Sequence, residues 1–215
     1  MTRVPKSRRA CSRRGNRALS AARQGTRLNA SFYSRDTLQV ARELLGCTLW
    51  HTTPSGKAGG MIVETEGYLG HGDDASHARF GKTPRSRVLF GPPGLAYVYF
   101  VYGMHHMFNV VTEPDGVAGA VLIRALEPLQ GLDLMKERRA KPDGVGLANG
   151  PGRLCQAIAI TLEQNEADLT RGPLGIWRRR SFAESEVIIT PRIGVFGSVE
   201  EPYRFAVKGN PHVSR

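Results

Sequence analysis

The longest unbroken run of apolar and aromatic residues spans only eight positions, from Leu95 to Tyr102, and a glycine closes it on each side. A transmembrane helix needs about 20 such residues, so no segment of the chain is expected to cross a membrane. A short run rich in Val and aromatic residues is typical of a buried β-strand. No basic stretch leads into a longer apolar one, so a secretory signal is not expected either. The core therefore has to be assembled from short elements.

Several other short segments have the pattern of strands or helices, and together they predict one mixed α+β domain. Gly103 and Met104 are predicted to form the tip of a hairpin that follows the apolar run. Asp36 can cap a helix that Gly46 ends. Further helices are predicted at 132–139 and directly after Asn149–Gly152. The predicted strands are 47–52, 59–68, 95–102, 108–111, 117–126 and shorter segments near 175–178, 186–190 and 203–208.

Positive charge is concentrated at the beginning of the chain. Residues 1–30 hold nine of the 30 Lys and Arg and no acidic residue, whereas 31–215 is almost balanced, with 19 acidic residues. We expect 1–30 to be a basic tail, disordered in isolation, and 31–215 to be the folded domain. The tail suits an arm that binds nucleic-acid phosphates, a dispensable extension or an organellar transit peptide, and all three remain open.

The sequence gives little support for a metal site. Its three cysteines are widely spaced, which excludes a disulfide framework and a Cys-rich zinc module and fits a reducing compartment; they are Cys11, Cys47 and Cys155. The loop 70–93 is long enough to be functional, and four of its side chains could bind a metal: His71, Asp73, Asp74 and His77. Their spacing matches no common metal motif, so turns and local hydrogen bonds are favoured, with a metal-dependent hydrolase as the alternative.

Two carboxylates and a tyrosine share one face of the strand predicted at 59–68. Side chains alternate along a strand, so Glu64, Glu66 and Tyr68 point the same way, two residues apart. Such a pair could flank a glycosidic bond, or one of them could act alone as a general base. A solvent-facing polar strand is the other interpretation. Arg124, in an apolar strand, needs an acidic partner such as Glu66 if it is buried.

Aromatic and basic residues surround the predicted hairpin. Tyr97, Tyr99 and Tyr102 lie in its first strand and His105 follows the tip. Core packing is the common role for such rings, but tyrosines also suit stacking on bases, and a projecting side chain can wedge into a duplex. Nearby arginines could bind phosphates, or they could simply be solvated.

These segments, taken in order, resemble the alkyladenine (3-methyladenine) DNA glycosylase family. The resemblance covers about residues 30–215, and the tail lies outside it. The segments that carry it are Met61–Gly70, Asp73–His77, Thr83–Arg87, Tyr97–Met104, Asn109, Leu122–Pro128 and Asn149–Ala157. His105 departs from the aromatic residue expected beside the hairpin tip.

The resemblance implies a mixed, mostly antiparallel, curved sheet flanked by helices, with a projecting hairpin that enters DNA. It implies that Glu66 activates the hydrolytic water and that Arg124, with the backbone at Val207, helps to hold it. The expected base-binding residues are Tyr68, His77, Tyr99 and Asn109, the last opposing the 2-amino group of guanine. The expected residues for intercalation are Tyr102, Met104 and His105, and those for DNA phosphates are Arg85, Arg87 and Arg153.

The implied activity is that of a monofunctional DNA glycosylase. The expected partner is double-stranded DNA that contains damaged purines of the 3-methyladenine, 7-methylguanine, hypoxanthine and ethenoadenine class. No cofactor, metal or membrane is expected, and a monomer is the expected state. A cytoplasmic, nucleoid-associated location is expected for a bacterial protein, and the basic tail leaves organellar or nuclear targeting open. The alternatives are a catalytically silent lesion-binding protein on the same scaffold and an RNA-binding module.

Overall fold

A single antiparallel sheet organises the protein. The computed structural model describes residues 25–142, 144, 146–195 and 200–214, so most of the basic tail predicted at 1–30 lies outside the described residues. Every pairing between the named strands is antiparallel. The strands are β1 (Thr48–Thr53), β2 (Gly56–Leu69), β3 (Ala96–Val101), β4 (His105–Val111), β5 (Gly119–Gln130), β6 (Leu174–Trp177), β7 (Val187–Thr190) and β8 (Arg204–Val207).

The long strand β2 lies at the centre of this sheet. It pairs with β5 along one edge, from Gly59 to Leu69. Its other edge is shared, with β1 beside Gly56–Met61 and β8 beside Glu64–Glu66. The register with β5 shifts near Ile62 and Glu64, and such bulges bend a strand and strengthen its twist. Glu64 and Glu66 therefore lie in the most enclosed part of the sheet.

Within the part of the chain that the structure describes, four short α-helices cover the sheet, namely α1 (Ala30–Tyr33), α2 (Thr37–Glu43), α3 (Leu132–Arg139) and α4 (Pro151–Ala157). The side chain of Asp36 caps α2 by accepting a hydrogen bond from the Gln39 amide. Helix α4 begins at Pro151, as expected from the fixed φ angle of proline, and packs on β4 and β5. The largest buried side chains come from both layers: Tyr33, Leu44, Leu49, Ile62, Phe108, Ile123, Leu126, Met135 and Leu154.

The α+β prediction is confirmed, and the predicted elements correspond closely to those observed. The segment before residue 31 differs from the expected tail. Leu28 is buried in the core, and the Arg27 guanidinium donates to the backbone carbonyls of Leu169 and Gly172 at 2.8 and 2.9 Å. The boundary predicted at residue 30 thus lies inside a packed segment. No helix among the described residues is long and apolar enough to cross a membrane, and Cys47 and Cys155 are buried free thiols.

Candidate active site

Glu66 is a buried carboxylate with three hydrogen-bond donors around it. Its Oε2 accepts from the Tyr68 hydroxyl at 2.9 Å and from Arg124 Nη1 at 3.1 Å. Its Oε1 accepts from the backbone amide of Ile193 at 2.8 Å. All three donors line the same large cavity, so Glu66 lies directly behind the cavity wall. Donors of this kind hold a carboxylate in one orientation.

Arg124 joins Glu66 to Glu64. Its Nε donates to Glu64 Oε1 at 3.1 Å while its Nη1 donates to Glu66, and all three side chains are almost fully buried. Glu64 also accepts from Arg204 Nε at 2.7 Å and from the Ser214 amide and hydroxyl at 2.7 and 2.8 Å. Removing one member of such a network would leave a buried charge without its partner. Glu64 therefore acts here as an anchor for Arg124, and the solvent-facing interpretation of this strand face is wrong.

Aromatic side chains form the wall of two adjoining cavities. The inner cavity has a volume of about 30 Å³ and the outer one about 530 Å³. Tyr68, His77 and Tyr99 line both. Since the outer cavity is far larger than the inner one, a purine-sized group has to lie mainly in the outer cavity. The three rings face any group that enters it.

Burial controls the protonation of these rings. It raises the pKa of Tyr68 and of Tyr99 well above the ordinary value for tyrosine. It lowers the pKa of His77 to about 4, with further contributions from Arg85 and Arg79. The Nδ1 atom of His77 lies 2.9 Å from the Tyr97 hydroxyl. The three rings are therefore uncharged at neutral pH.

Asn109 lies at the end of the inner cavity, beside Leu89 and Ala120. It is buried, and its Nδ2 donates to the Tyr97 carbonyl at 3.2 Å. This bond holds the Asn109 amide in place in the wall of the inner cavity. The structure thus brings Asn109 together with Tyr68, His77 and Tyr99 in one pocket.

The hairpin of β3 and β4 presents Tyr102 and Met104 to solvent, with 79% and 67% of their surface exposed. The Met104 amide donates to the Val101 carbonyl at 3.1 Å, and both residues between them have positive φ, +52° at Tyr102 and +67° at Gly103. These are the features of a type I′ turn, which is normally occupied by Asn, Asp or Gly at both positions. His105 is also exposed and lies against Gly152 at the start of α4.

The three arginines predicted to bind phosphates lie in different environments. Arg85 lies over the Tyr99 ring at 5.3 Å and lines the outer cavity. Arg87 forms an exposed ion pair with Glu166 at 2.6 Å. Arg153 donates to Asn149 Oδ1 at 2.9 Å on the surface. Of the three, only Arg85 lines the cavity that Tyr68, His77 and Tyr99 share.

Asp73, one of the possible metal ligands, is instead part of a buried ion pair. Its two oxygens accept from Arg192 Nη1 and Nη2, each at 2.7 Å. His77 is directed to Tyr97, as described above. Among the residues that the structure describes, no group of three or more His, Cys, Asp or Glu side chains is arranged to hold a metal ion. The ion pair between Asp73 and Arg192 therefore helps to fix the conformation of this loop.

Comparison with known proteins bears directly on this pocket. Residues 31–211 match the sequence model of the methylpurine-DNA glycosylase family. The chain belongs to this family. It is accordingly a hydrolase that acts on N-glycosyl bonds, and the matched range contains the buried carboxylates, the aromatic pocket and the hairpin.

Individual members of this family are similar to this chain along nearly their whole length. Proteins named "Putative 3-methyladenine DNA glycosylase" are 47% identical in Prosthecochloris aestuarii, over 88% of this chain and 91% of the relative, and 48% identical in Methanoculleus marisnigri, over 87% and 98%. A protein of the same name from Carboxydothermus hydrogenoformans is also 48% identical, over 87% and 98%.

Several residues at this glycosylase site were not expected from the sequence. The Ile193 amide contacts Glu66. The Val207 carbonyl accepts a backbone hydrogen bond from Asn210 at 3.3 Å, and the water-holding role implied for Val207 stays a prediction. Arg192, Arg204 and Ser214 belong to no motif that we identified. The sequence did indicate that such residues exist, because a buried strand with two carboxylates requires basic partners. It does not say which arginines these partners are.

Proposed function

We propose that this chain is a monofunctional DNA glycosylase that removes alkylated or deaminated purines from duplex DNA, the first step of base excision repair. The observation that carries the proposal is the position of Glu66, a carboxylate held by three donors directly behind a pocket of uncharged aromatic rings. The name of the relatives supports 3-methyladenine as one substrate. The wider class of 7-methylguanine, hypoxanthine and ethenoadenine is part of the same proposal.

The damaged nucleotide has to leave the base stack before it can react. Extrusion costs a few kcal/mol, and less for a damaged or badly paired base. The exposed Tyr102 at the hairpin tip is suited to fill the vacated space. Tyr68, His77 and Tyr99 would then enclose the base, and a cationic alkylated purine is attracted by tyrosine rings.

Hydrolysis then breaks the bond between C1′ and the purine nitrogen. The base leaves with the bonding electrons, and C1′ develops positive charge that the Glu66 carboxylate stabilises. A water oxygen bonds to C1′, and its proton passes to Glu66, directly or through the Tyr68 hydroxyl. Arg124 keeps the carboxylate in place. A cationic alkylated purine leaves as the neutral free base, whereas a neutral lesion such as hypoxanthine leaves with a proton, which balances the one that the water gives up. The products are the free base and an abasic site.

The pocket favours water as the nucleophile. No lysine lines either cavity in the part of the chain that the structure describes, and a lysine amine would be needed for a Schiff-base intermediate. We therefore expect no strand cleavage and no borohydride-trapped protein–DNA adduct. A trapped adduct would contradict the monofunctional assignment.

The decisive experiment is single-turnover base release from two duplexes, one with a hypoxanthine and one with alkylated purines. Wild type is compared with Glu66→Gln, and abasic sites are revealed by alkali. Glu43→Gln is a matched control, because Glu43 is ion-paired with Arg35 and lines neither cavity. We expect release by wild type and Glu43→Gln, and lesion binding without release by Glu66→Gln.

Each other outcome is informative. Activity of Glu66→Gln within about tenfold of wild type would remove Glu66 as the base. Lesion binding by wild type with no release from either duplex would favour the catalytically silent binding protein. Stronger binding to RNA than to lesion duplex at the same salt concentration would favour the RNA-binding module.

A further inference from the structure

Arg192 is the most completely enclosed arginine near the pocket. Its side chain and that of Asp73 have no exposed surface, and the guanidinium binds the carboxylate through two parallel hydrogen bonds of 2.7 Å. Nη1 also donates to the Gly67 carbonyl at 3.0 Å. The guanidinium carbon lies 4.7 Å from the centre of the Tyr68 ring and 5.2 Å from that of Tyr203. The planar group is therefore fixed both by its hydrogen bonds and by two rings.

Asp73 fixes the loop that forms one side of the pocket. Its Oδ2 accepts from the Leu69 amide at 2.9 Å, and its Oδ1 from the Ala75 amide at 3.1 Å. The next residues of this loop, Ser76 and His77, line the pocket. The Asp73 carboxylate therefore holds both Arg192 and the loop segment that carries His77.

Arg192 also contacts one residue, and directly precedes another, that donates a hydrogen bond to Glu66. Its ring contact is with Tyr68, whose hydroxyl donates to Glu66 Oε2. Its neighbour in the chain is Ile193, whose amide donates to Glu66 Oε1. Two of the three donors around Glu66 are therefore attached directly to Arg192, one by stacking and one by the next peptide bond.

We propose that Arg192, through its ion pair with Asp73, is a positioning residue that couples the wall of the base pocket to the orientation of Glu66. The proposal rests on the function given above, because it assumes that Glu66 is the general base. Its physical basis is the planar fork of arginine, which can bind a carboxylate at two points while stacking on a ring. A lysine keeps the charge but provides neither the fork nor the stacked plane.

The first test is Arg192→Lys in single-turnover base release at saturating protein. A misplacement of reacting groups by about 1 Å can slow a reaction by about 100-fold, so we expect the rate of release to fall by about 10- to 100-fold. We expect the dissociation constant for the lesion duplex to change by less than about threefold, because the duplex contacts outside the pocket remain. A rate within about threefold of wild type would overturn the proposal.

A double-mutant cycle separates positioning from general damage. Tyr68→Phe removes only the hydroxyl that contacts Glu66. If Arg192 acts through Tyr68, the double variant loses less activity than the product of the two single losses, by more than about threefold. Simple multiplication of the two losses would mean that Arg192 is merely structural and would overturn the proposal.

Arg35→Lys is the matched control. Arg35 also binds a carboxylate at two points, Glu43 at 3.0 and 3.1 Å, and lies over the Phe32 ring at 4.6 Å, but it lines neither cavity. We expect base release by Arg35→Lys to equal that of wild type. In the double variant with Tyr68→Phe, we expect the loss of activity to be the product of the two single losses. A loss like that of Arg192→Lys would overturn the proposal.

A second variant covers the case in which Arg192→Lys does not fold. Asp73→Asn with Arg192→Gln removes both charges and so avoids the uncompensated buried ion that makes breaking such a pair strongly destabilising. The same cycle with Tyr68→Phe is then measured, with the same outcomes. Inactive wild type would refute the proposed function itself, whereas active wild type with multiplicative losses would refute only the role of Arg192.

Discussion

His77 is an uncharged histidine close to two arginines. Burial is the main cause of its lowered pKa of about 4, followed by the positive charges of Arg85 and Arg79. At neutral pH the ring is therefore an imidazole, bound to the Tyr97 hydroxyl. An imidazolium in this position would repel a cationic alkylated base, so the neutral ring suits a pocket for such bases.

This lowered pKa predicts a pH dependence of stability. In the unfolded chain His77 takes up a proton below its ordinary pKa of about 6.5, whereas in the folded protein it does so only near 4. The stability that the neutral ring provides is therefore complete above pH 6.5 and is lost as the pH falls towards 4. We expect the Tm of wild type to fall more steeply across this window than that of His77→Gln.

The control for this measurement is His71→Gln, which replaces an exposed histidine of the same loop. Its Tm should follow that of wild type at every pH. If His77→Gln also followed wild type from pH 6.5 to 4, the protonation of His77 would not be linked to folding.

Asn109 is expected to set the selectivity of the pocket. Its amide is fixed by the bond to the Tyr97 carbonyl and lines the inner cavity, where its bulk would oppose the 2-amino group of a guanine. Asn109→Ser removes this bulk and should increase the release of guanine-type bases relative to hypoxanthine by about tenfold or more, the usual range for one missing group in a pocket.

Asn165→Ser is a suitable control for that selectivity measurement. The Asn165 side chain also bonds to the backbone, accepting from the Val98 amide at 2.9 Å, and it lines neither cavity. Its ratio of guanine to hypoxanthine release should equal that of wild type. An unchanged ratio in Asn109→Ser would place the filter elsewhere in the pocket.

The positions and contacts of the site residues could be predicted only where a local sequence pattern determined them. Alternation along a strand placed Glu64, Glu66 and Tyr68 on one face, and an arginine in an apolar strand required a carboxylate, so the Arg124–Glu66 contact was predicted. The contact of Arg192 with Asp73 joins positions 119 residues apart. No periodicity or spacing reveals such a pairing, because it is created by the packing of two loops.

At the scale of elements, the hairpin of β3 and β4 is held by strand pairing along its length and ends in a strained turn. Six consecutive residue pairs hold its strands, from Ala96 and Val110 to Val101 and His105. A left-handed conformation costs about 1 kcal/mol for a residue other than glycine, yet Tyr102 adopts it with most of its surface exposed. Since packing does not explain a tyrosine there, we expect an external contact to do so.

Tyr102→Gly and Tyr102→Ala separate the strain from the function. Glycine tolerates the positive φ, so the Gly variant should be at least as stable as the Ala variant, as measured by Tm. Both lack the wedge, so both should release base more slowly from a well-paired lesion duplex than wild type does. The loss should be smaller for a mismatched lesion, whose extrusion costs less.

Two observations would contradict this account of the hairpin. A lower Tm for Tyr102→Gly than for Tyr102→Ala would show that the turn is not strained by a side chain. Equal losses on paired and mismatched lesions would show that Tyr102 does not assist extrusion.

Elements themselves were largely predictable, since glycines and β-branched or aromatic runs marked most strands. Strand β4 begins at His105 rather than near Phe108, because the short loop of the hairpin lets pairing start at once. Helix α1 was not predicted: with four residues it has no measurable period, and it is held by the Asn29 cap and the burial of Phe32 and Tyr33.

At the scale of the whole molecule, a balanced set of buried charges contrasts with a strongly basic chain. The buried network beside the pocket pairs three carboxylates with three arginines: Glu64, Glu66 and Asp73 with Arg124, Arg192 and Arg204. The net charge of +11 therefore comes from other positions, and eight of the basic residues lie before residue 25. The buried pairs hold their own charges in balance, and the basic residues before position 25 are suited by their charge to attract the DNA backbone.

This contrast predicts the effect of deleting residues 2–24 while keeping Arg27 and Leu28, which pack on the fold. The slope of log Kd against log salt concentration falls by about 0.9 for each phosphate that the protein no longer neutralises, so the truncated protein should bind undamaged duplex more weakly at low salt and with a shallower slope. The rate of base release at saturating protein should stay unchanged, because the pocket and Glu66 lie within 64–195. An equal slope in both proteins would show that these basic residues do not bind the DNA, and a slower release would show that they act on the pocket.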